Sequence, residues 1–364
     1  NKQIKVLNTL KFLTQSSKIV RENFNGKIIA ITGSCGKTSL KELLGNTINK
    51  YSTATISPKS FNNKYGVPLS LFNLNLNHKN GVFEIGMDKK GEINFLSKIV
   101  SPDIGVITNI SYAHAKNFKN IYQIARAKSE IINNIKKDGS LVLNADDKFH
   151  SFHKKIAFKK KLKIYSFSSK KRTDVYLKHI KKELKRYKIS VKINKQTKYF
   201  YVNSVYENYL KNLLACITIL YILNDINSLN PFSFYNDKIP EGRGDISKLK
   251  FRNKNIFLID ESYNSNPLSL ESAIKNFDLI NVKSSKKHLV MGDMLELGKH
   301  TKKLHIQISK VINLSSIGRV SVFGKAAKET YKKIKTEKKG IILKGTSKIF
   351  DLIVNDLNNN DYLM

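Results

Sequence analysis

A chain of 364 residues with 41% hydrophobic side chains has room for two or three globular domains and is neither fibrous nor disordered. It holds no run of about 20 apolar residues, which excludes a membrane-spanning helix, and its two cysteines, Cys35 and Cys216, exclude a disulfide framework and suit a reducing cytoplasm. The formal charge of +37 raises a nucleic-acid partner, but only seven of the 65 basic residues are Arg and the lysines spread along the whole chain, so the excess reads as solvated surface and no nucleic acid is expected.

The opening NKQIKVLNTLKFL lacks the compact apolar core of a signal peptide, and residues 3–20 have the spacing of a short amphipathic helix. An apolar strand, KIIAIT at 27–32, precedes a helix from about Lys37 to Lys50. GVFEIG (81–86) and DIGVITN (103–109) are apolar runs of strand length, IYQIARAKSEIINNIKK (121–137) has helical periodicity, and SLVLNADD (140–147) is a strand entering a turn. Strands alternating with helices predict a mostly parallel sheet covered on both faces. Between 161 and 203 the pattern changes to β-rich alternation, expected to be an antiparallel extension. A mostly apolar helix (208–223) and a candidate linker bearing Pro and Gly (228–245) follow. Strands at 255–260, 287–292, 318–324 and 340–345 predict a second doubly wound, Rossmann-like α/β domain.

Between the strand at 27–32 and its helix stands Thr32-Gly33-Ser34-Cys35-Gly36-Lys37-Thr38-Ser39. A standard phosphate loop is G-x-x-x-x-G-K-[ST]. Here the first glycine would fall on Ile31, and Gly33 stands instead two residues closer to Gly36. Small residues still allow backbone N–H groups to face phosphates, and the helix N-terminus adds partial positive charge. Lys37 is expected to reach the β- and γ-phosphates of ATP, and Thr38 to ligate Mg²⁺.

The shortened loop is the form found in Mur ligases and folylpolyglutamate synthases. SFNNKYGVPLSL (60–71), FEIGMDKKGEI (83–93), ITNISYAHAKNF (107–118), ARAKSEI (125–131), LVLNADD (141–147), LIDESYNSNP (258–267) and LVMGDMLELG (289–298) occur in order. Together, from about residue 5 onward, they resemble the Mur ligase family, and within it the branch that adds D-alanyl-D-alanine to UDP-N-acetylmuramoyl-tripeptide. FNN…GVPL, YNxNP and GDMLELG carry the branch; the loop alone does not. The resemblance implies an ADP-forming amide ligase of peptidoglycan synthesis. ATP phosphorylates the tripeptide carboxylate, the amine of D-alanyl-D-alanine attacks the acyl phosphate, and phosphate leaves. It also implies a P-loop central domain, a Rossmann-like C-terminal domain, two Mg²⁺ ions and a monomer.

Individual residues take their roles from that resemblance. Glu84, at a strand end beside the loop, is implied to be a metal ligand; its residue type alone leaves a solvated or capping Glu open. His114 is implied to serve a second metal site. Lys128 matches a lysine that reacts with CO₂ to form an anionic carbamate, which requires a neutral amine and so a lowered pKa. Asn212 is implied to contact adenine, although Asn208-Tyr209 stand where the family has His-Asn. Arg243 is implied to reach the γ-phosphate, and Glu261 to hold the ribose where the family has Asp. Asn62 and Asn63 are expected on the substrate side, with Tyr263, Asn264, Asn266 and Pro267 shaping the first turn of the second domain. Asp293 and Glu296 are candidates for the dipeptide amine, with turn and cap chemistry equally open.

The expected domains are a connector (1–25), an ATP-binding central domain (26–238) and a C-terminal domain (239–364). A uridine-binding domain before residue 1, and a strand and loop after 364, are expected to belong to a longer protein. Two rival readings are another ligase of the superfamily, such as the diaminopimelate- or lysine-adding enzyme or a folylpolyglutamate synthase, and a nucleic-acid-binding NTPase.

Overall fold

The computed structural model describes residues 5–364 apart from Lys185, Lys238 and Thr346. The start of the expected first helix and connector (residues 1–4), Lys185 in the β-rich stretch and Lys238 at the expected domain boundary lie outside the described residues. The chain divides into two compact units, one of Asn1–Ile110 with Asn120–Lys238, the other of Ser111–Lys119 with Ile239–Met364.

The first unit begins with α1 (Thr9–Glu22), whose start is set by Asn8: its side chain accepts from the Lys11 amide at 2.9 Å. The helix therefore starts later than the apolar spacing from residue 3 suggested. There follow β1 (Lys27–Thr32), α2 (Lys37–Ile48), β2 (Ala54–Ile56), α3 (Gly66–Phe72), β3 (Asn80–Glu84), α4 (Glu92–Val100), β4 (Ile104–Ile107), α5 (Ile121–Ser129), β5 (Ser140–Asn144), α6 (His150–Lys159) and β6 (Lys163–Ser168). Then come β7 (Val175–Glu183), β8 (Arg186–Ile193), β9 (Gln196–Val202) and α7 (Glu207–Ile222).

These strands form one sheet in the order β2-β3-β1-β4-β5-β6-β7-β8-β9. Neighbours from β2 to β7 are parallel; β7, β8 and β9 are antiparallel. The antiparallel extension therefore starts at 175, and the strand at 163–168 belongs to the parallel part. In β1 every residue after Lys27 is buried, as a strand covered on both faces requires. Ile29 and Ile31 share a core with Leu40 and Leu44 of α2 and Leu213 and Ile217 of α7. The helix expected over 121–137 is α-helical only to Ser129 and continues as a 3₁₀ turn to Asn134. Asn134 is a poor helix former, and its side chain is drawn to Asn94 and to Ser97 Oγ on α4.

From β1 the order runs to β3 on one side and β4 on the other. Such a reversal opens a crevice at the carboxyl end of the central strand, where α/β sheets bind ligands. The loop 33–36 emerges there.

The second unit is a six-stranded sheet, ordered β10-β11-β15-β12-β13-β14. Its elements are β10 (Asp245–Phe251), β11 (Lys254–Asp260), α8 (Pro267–Asp278), β12 (Lys287–Met291), α9 (Thr301–Leu314), β13 (Arg319–Phe323), α10 (Ala327–Lys333), β14 (Lys339–Leu343), α11 (Ser347–Asn355) and β15 (Asp361–Leu363). Among the described residues of this unit, only β10 and β11 pair antiparallel. The expected linker gives way to β10 at Asp245, and β15 was not anticipated because three residues carry no readable period.

Candidate active site

The phosphate loop owes its shape to two glycines. Gly33 has φ +147°, and a Cβ there would lie 1.8 Å from Thr108 Oγ1. Gly36 has φ +82°, and its Cβ would lie 2.7 Å from Asn212 Oδ1. A side chain at either position meets both strain and a clash. The end of β4 grips the loop. Asn109 Oδ1 accepts from the Cys35 amide at 2.9 Å, and Asn109 Nδ2 and Thr108 Oγ1 donate to the Cys35 carbonyl at 3.1 and 2.6 Å. The Ser34 amide donates to the Asn109 carbonyl at 2.9 Å. Ser34 and Cys35 thus direct their amides to Asn109, which leaves the N-terminus of α2, with Lys37, Thr38 and Ser39, as the end of the loop suited to an anion.

Around that helix end the first unit collects most of its candidates. Thr38 Oγ1 donates to Glu84 Oε2 at 2.6 Å, and Asn62 Nδ2 donates to Glu84 Oε1 at 2.7 Å. Ser60 Oγ lies 3.3 Å from Thr38 Oγ1. Glu84 is 1% exposed, carried by the pairing of β3 with β1 that sets it opposite Ile31. Asn62, expected to face substrate, is spent on Glu84. Asn63 is turn chemistry: its Oδ1 accepts from the amides of Tyr65 and Gly66 at 3.0 and 2.9 Å. Asn212 lies against Gly36.

Lys37 Nζ donates to the Gly33 carbonyl at 3.1 Å, and Lys128 Nζ to the same oxygen at 3.0 Å. Lys128 is buried at 1% exposure. Burial first, and the Lys37 charge second, hold its ammonium well below the ordinary lysine range; Cys35 and Glu84 oppose the shift without reversing it. Thr32 Oγ1, at the end of β1, is buried with no hydrogen-bond partner. The Thr38 hydroxyl and the Glu84 carboxylate bring hard oxygen donors together, which fits a divalent cation such as Mg²⁺. A lysine held toward its neutral form fits a carbamate.

The second unit holds the other candidates. Arg243 lies over the Tyr263 ring, 4.4 Å from its centroid, in reach of Glu261. Burial pushes the Glu261 carboxyl up to about 7; Arg243 pulls it down, while Asp245 and Asp260 add to the rise. Gly244, at φ +96°, brings the backbone so close that a Cβ would lie 2.9 Å from Glu261 Oε1. Tyr263 and Asn264 are exposed. Asn266 is the N-cap of α8, accepting from the Leu268 and Ser269 amides, with Pro267 at the first helical position.

Asp293 accepts from the Ala327 amide at 2.7 Å. His114, with φ 56°, lies in the segment that groups with this unit; its Nδ1 is 2.5 Å from Glu296 Oε2. Lys116 Nζ is 3.1 Å from Glu296 Oε1. Asp293 and Glu296 are therefore both engaged within the unit, Asp293 by the Ala327 amide and Glu296 by His114 and Lys116.

Asn109, Lys41 and His305 are among the contributors that escaped sequence reasoning. His305 is 0% exposed; its Nε2 accepts from the Met294 amide at 3.0 Å and its Nδ1 faces the Thr301 carbonyl at 2.8 Å, so the ring is the neutral tautomer that holds the 292–298 loop.

Comparison with known proteins follows the same division. Residues 31–220 match a family described as the Mur ligase middle domain, and residues 248–364 one described as Mur ligase, glutamate ligase domain. A UDP-N-acetylmuramoyl-tripeptide–D-alanyl-D-alanine ligase of Buchnera aphidicola (subspecies Baizongia pistaciae) is 34% identical over 329 residues, 90% of this chain and 69% of the relative. A crystal structure of MurF from Acinetobacter baumannii superposes with a TM-score of 0.86 at 26% identity, covering 99% of this chain and 78% of that one. MurF of Thermotoga maritima, solved with ADP, shares the fold at a TM-score of 0.84 and 24% identity, covering 100% of this chain and 83% of that one.

Proposed function

The chain belongs to the Mur ligase family, and on that premise we propose that it uses ATP, with formation of ADP, to join D-alanyl-D-alanine to UDP-N-acetylmuramoyl-tripeptide in peptidoglycan precursor synthesis. The observation that carries this reading is the Thr38–Glu84 pair at the mouth of a phosphate loop, with Lys37 and Lys128 converging on Gly33 behind it.

A carboxylate is a poor electrophile at neutral pH. One of its oxygens attacks the γ-phosphorus of ATP, the bond to the β-phosphate oxygen breaks, and ADP leaves. The dipeptide amine then attacks the carbonyl carbon of the acyl phosphate; the C–O bond breaks, phosphate leaves, and the amine gives up a proton. Lys37 places its ammonium beside the transferring phosphoryl group, where charge shifts toward the ADP oxygen. The N-terminus of α2 orients the phosphates, and Asn109 and Thr108 keep the loop in the shape that receives them. Thr38 and Glu84 would hold Mg²⁺, which when bound would supply Lewis-acid polarisation of the phosphate oxygens. Asn62 fixes the rotamer of Glu84.

Lys128 is carried as a carbamate: its neutral amine attacks CO₂, an N–C bond forms as one C=O π bond opens to leave the charge on oxygen, and the amine gives up a proton. The resulting anion would offer a further oxygen ligand to a second Mg²⁺, which His114 would also serve. Arg243 reaches the γ-phosphate, Glu261 the ribose, and Asn212 the adenine. Tyr263, Asn264, Asp293 and Glu296 face the peptide substrates. Residues 26–238 act as the central ATP-binding domain and 239–364 as the C-terminal domain, with the protein a cytoplasmic monomer.

The test is ADP release by the protein with each substrate omitted in turn. Release that requires both D-alanyl-D-alanine and the tripeptide nucleotide is expected. Release driven by diaminopimelate or lysine with the dipeptide nucleotide would reassign the branch.

A further inference from the structure

We propose that Lys41 is a positioning residue for the Thr38–Glu84 site: its buried ammonium holds the 57–63 loop so that Asn62 meets Glu84 and Ser60 meets Thr38. The inference rests on the reading of Thr38 and Glu84 as ligands of Mg²⁺.

Lys41 is 0% exposed, on α2 one turn beyond Thr38. Its Nζ donates to the Ser57 carbonyl at 2.6 Å and to the Lys59 carbonyl, and lies 2.9 Å from Glu42 Oε1. An ammonium has three donors, and these partners use all three. A cation so far from water is costly unless every proton is bonded, and an apolar side chain of the same length would fill the space without that cost. What the charge supplies is a shape. It draws two carbonyls, two residues apart, toward one point, in a loop where Lys59 has φ 46°.

The rest of the loop shows what that shape is for. The Ser57 amide is tied to the Val82 carbonyl, and Ser57 Oγ accepts from the Glu84 amide at 3.3 Å. Past Lys59 the chain delivers Ser60 to Thr38 and Asn62 to Glu84. The Gly86 amide donates to the Asn62 carbonyl at 2.8 Å, and a Cβ on Gly86 would lie 2.7 Å from Asn62 Oδ1, so Asn62 has little room to turn. Lys41 thus acts on the Glu84 carboxylate through one loop, without touching the carboxylate.

The test is calorimetric binding of ATP across a Mg²⁺ titration and in chelator, with melting followed by circular dichroism. Lys41→Met is expected to raise the Mg²⁺ concentration for half-maximal enhancement of binding about tenfold, the scale found when groups that orient metal ligands are lost. Binding in chelator stays unchanged. Asn62→Ala is expected to reproduce the shift with little change in melting. Lys287→Met, which removes a second buried lysine bonded to the Asp278 carbonyl and Ser316, is expected to lower melting without moving the Mg²⁺ midpoint. A lowered melting temperature with an unmoved midpoint in Lys41→Met would make Lys41 merely structural. Should that variant not fold, an unmoved midpoint in Asn62→Ala overturns the proposal. Wild-type binding indifferent to Mg²⁺ would instead remove the metal reading itself.

Discussion

Lys37 and Lys128 donate to one carbonyl oxygen, that of Gly33, from opposite directions in the chain: Lys37 from the first turn of α2, Lys128 from the last turn of α5. Two ammonium groups on one acceptor repel, and the one without water yields. That is Lys128, whose charged form burial and Lys37 both disfavour. The relationship favours a neutral amine at Lys128, the form that the proposed carbamate requires.

Lys128→Ala is expected to lose ligation, with partial recovery on adding short carboxylic acids. Lys128→Arg keeps a cation, cannot be carbamylated, and is expected to be inactive. Activity of both variants and ¹³CO₂ labelling of the wild type, read by NMR, check the assignment. An active Arg variant returns Lys128 to a packing role.

Lys37→Ala is expected to reduce turnover by about 10²–10³ or more, the scale of losing one charge-stabilising donor. Melting should move little, because Lys37 is only partly buried and its side chain donates to the Gly33 carbonyl without packing in the core. Full turnover by a folded variant would remove the loop from the chemistry.

The two loop glycines should respond differently to alanine. Gly33→Ala drives a methyl into Thr108 at the buried end of β4 and is expected to cost about 2–4 kcal/mol of stability, combining overpacking with strain. Gly36→Ala meets the end of the Asn212 side chain, which can turn away. Its main effect should be on nucleotide affinity, with a smaller loss of stability. Denaturant melts and ATP titrations of the two variants separate these outcomes, and equal profiles would contradict them.

Glu261 predicts a pH dependence. Its folded pKa is raised to about 7 from 4.5, so between those values the folded state binds more protons than the unfolded state, and stability falls as pH rises through that window. Ribose hydroxyls need the carboxylate as acceptor, so ATP affinity should rise over the same range, with a proton released on binding. Calorimetry in buffers of different ionisation enthalpy reads that proton. Glu261→Gln should abolish the release and flatten the pH profile.

What could be read in advance follows from the reach of each interaction. β1 and β4 were visible as unbroken apolar runs because both faces are covered. The loop was visible because its glycines and Lys37 are contiguous. Lys128 was singled out by its neighbours in ARAKSEI; its burial is a tertiary fact. Asn109 grips a residue 74 positions away, and Asn62 binds one 22 positions away, so neither partnership leaves a local signature. Lys41 resembled any other lysine because its burial depends on carbonyls 16 and 18 residues on. The grouping of Ser111–Lys119 with the second unit is equally invisible, since the segment is flanked on both sides by the first unit's chain.

β15 has a consequence for the order in which the protein can be built. Residues 361–363 lie between β11 and β12, pairing with both, and Met364 extends the bonding by exchanging hydrogen bonds with His288 and Val290. Strands β11 and β12 are not neighbours in the sheet order. On the ribosome, the hairpin of β10 with β11 and the ribbon of β12 to β14 must therefore wait as two separate sheet fragments, each with an open edge, until residue 361 has left the exit tunnel. A stall or premature stop before that codon would leave a nascent chain with two sticky edges for chaperones to guard.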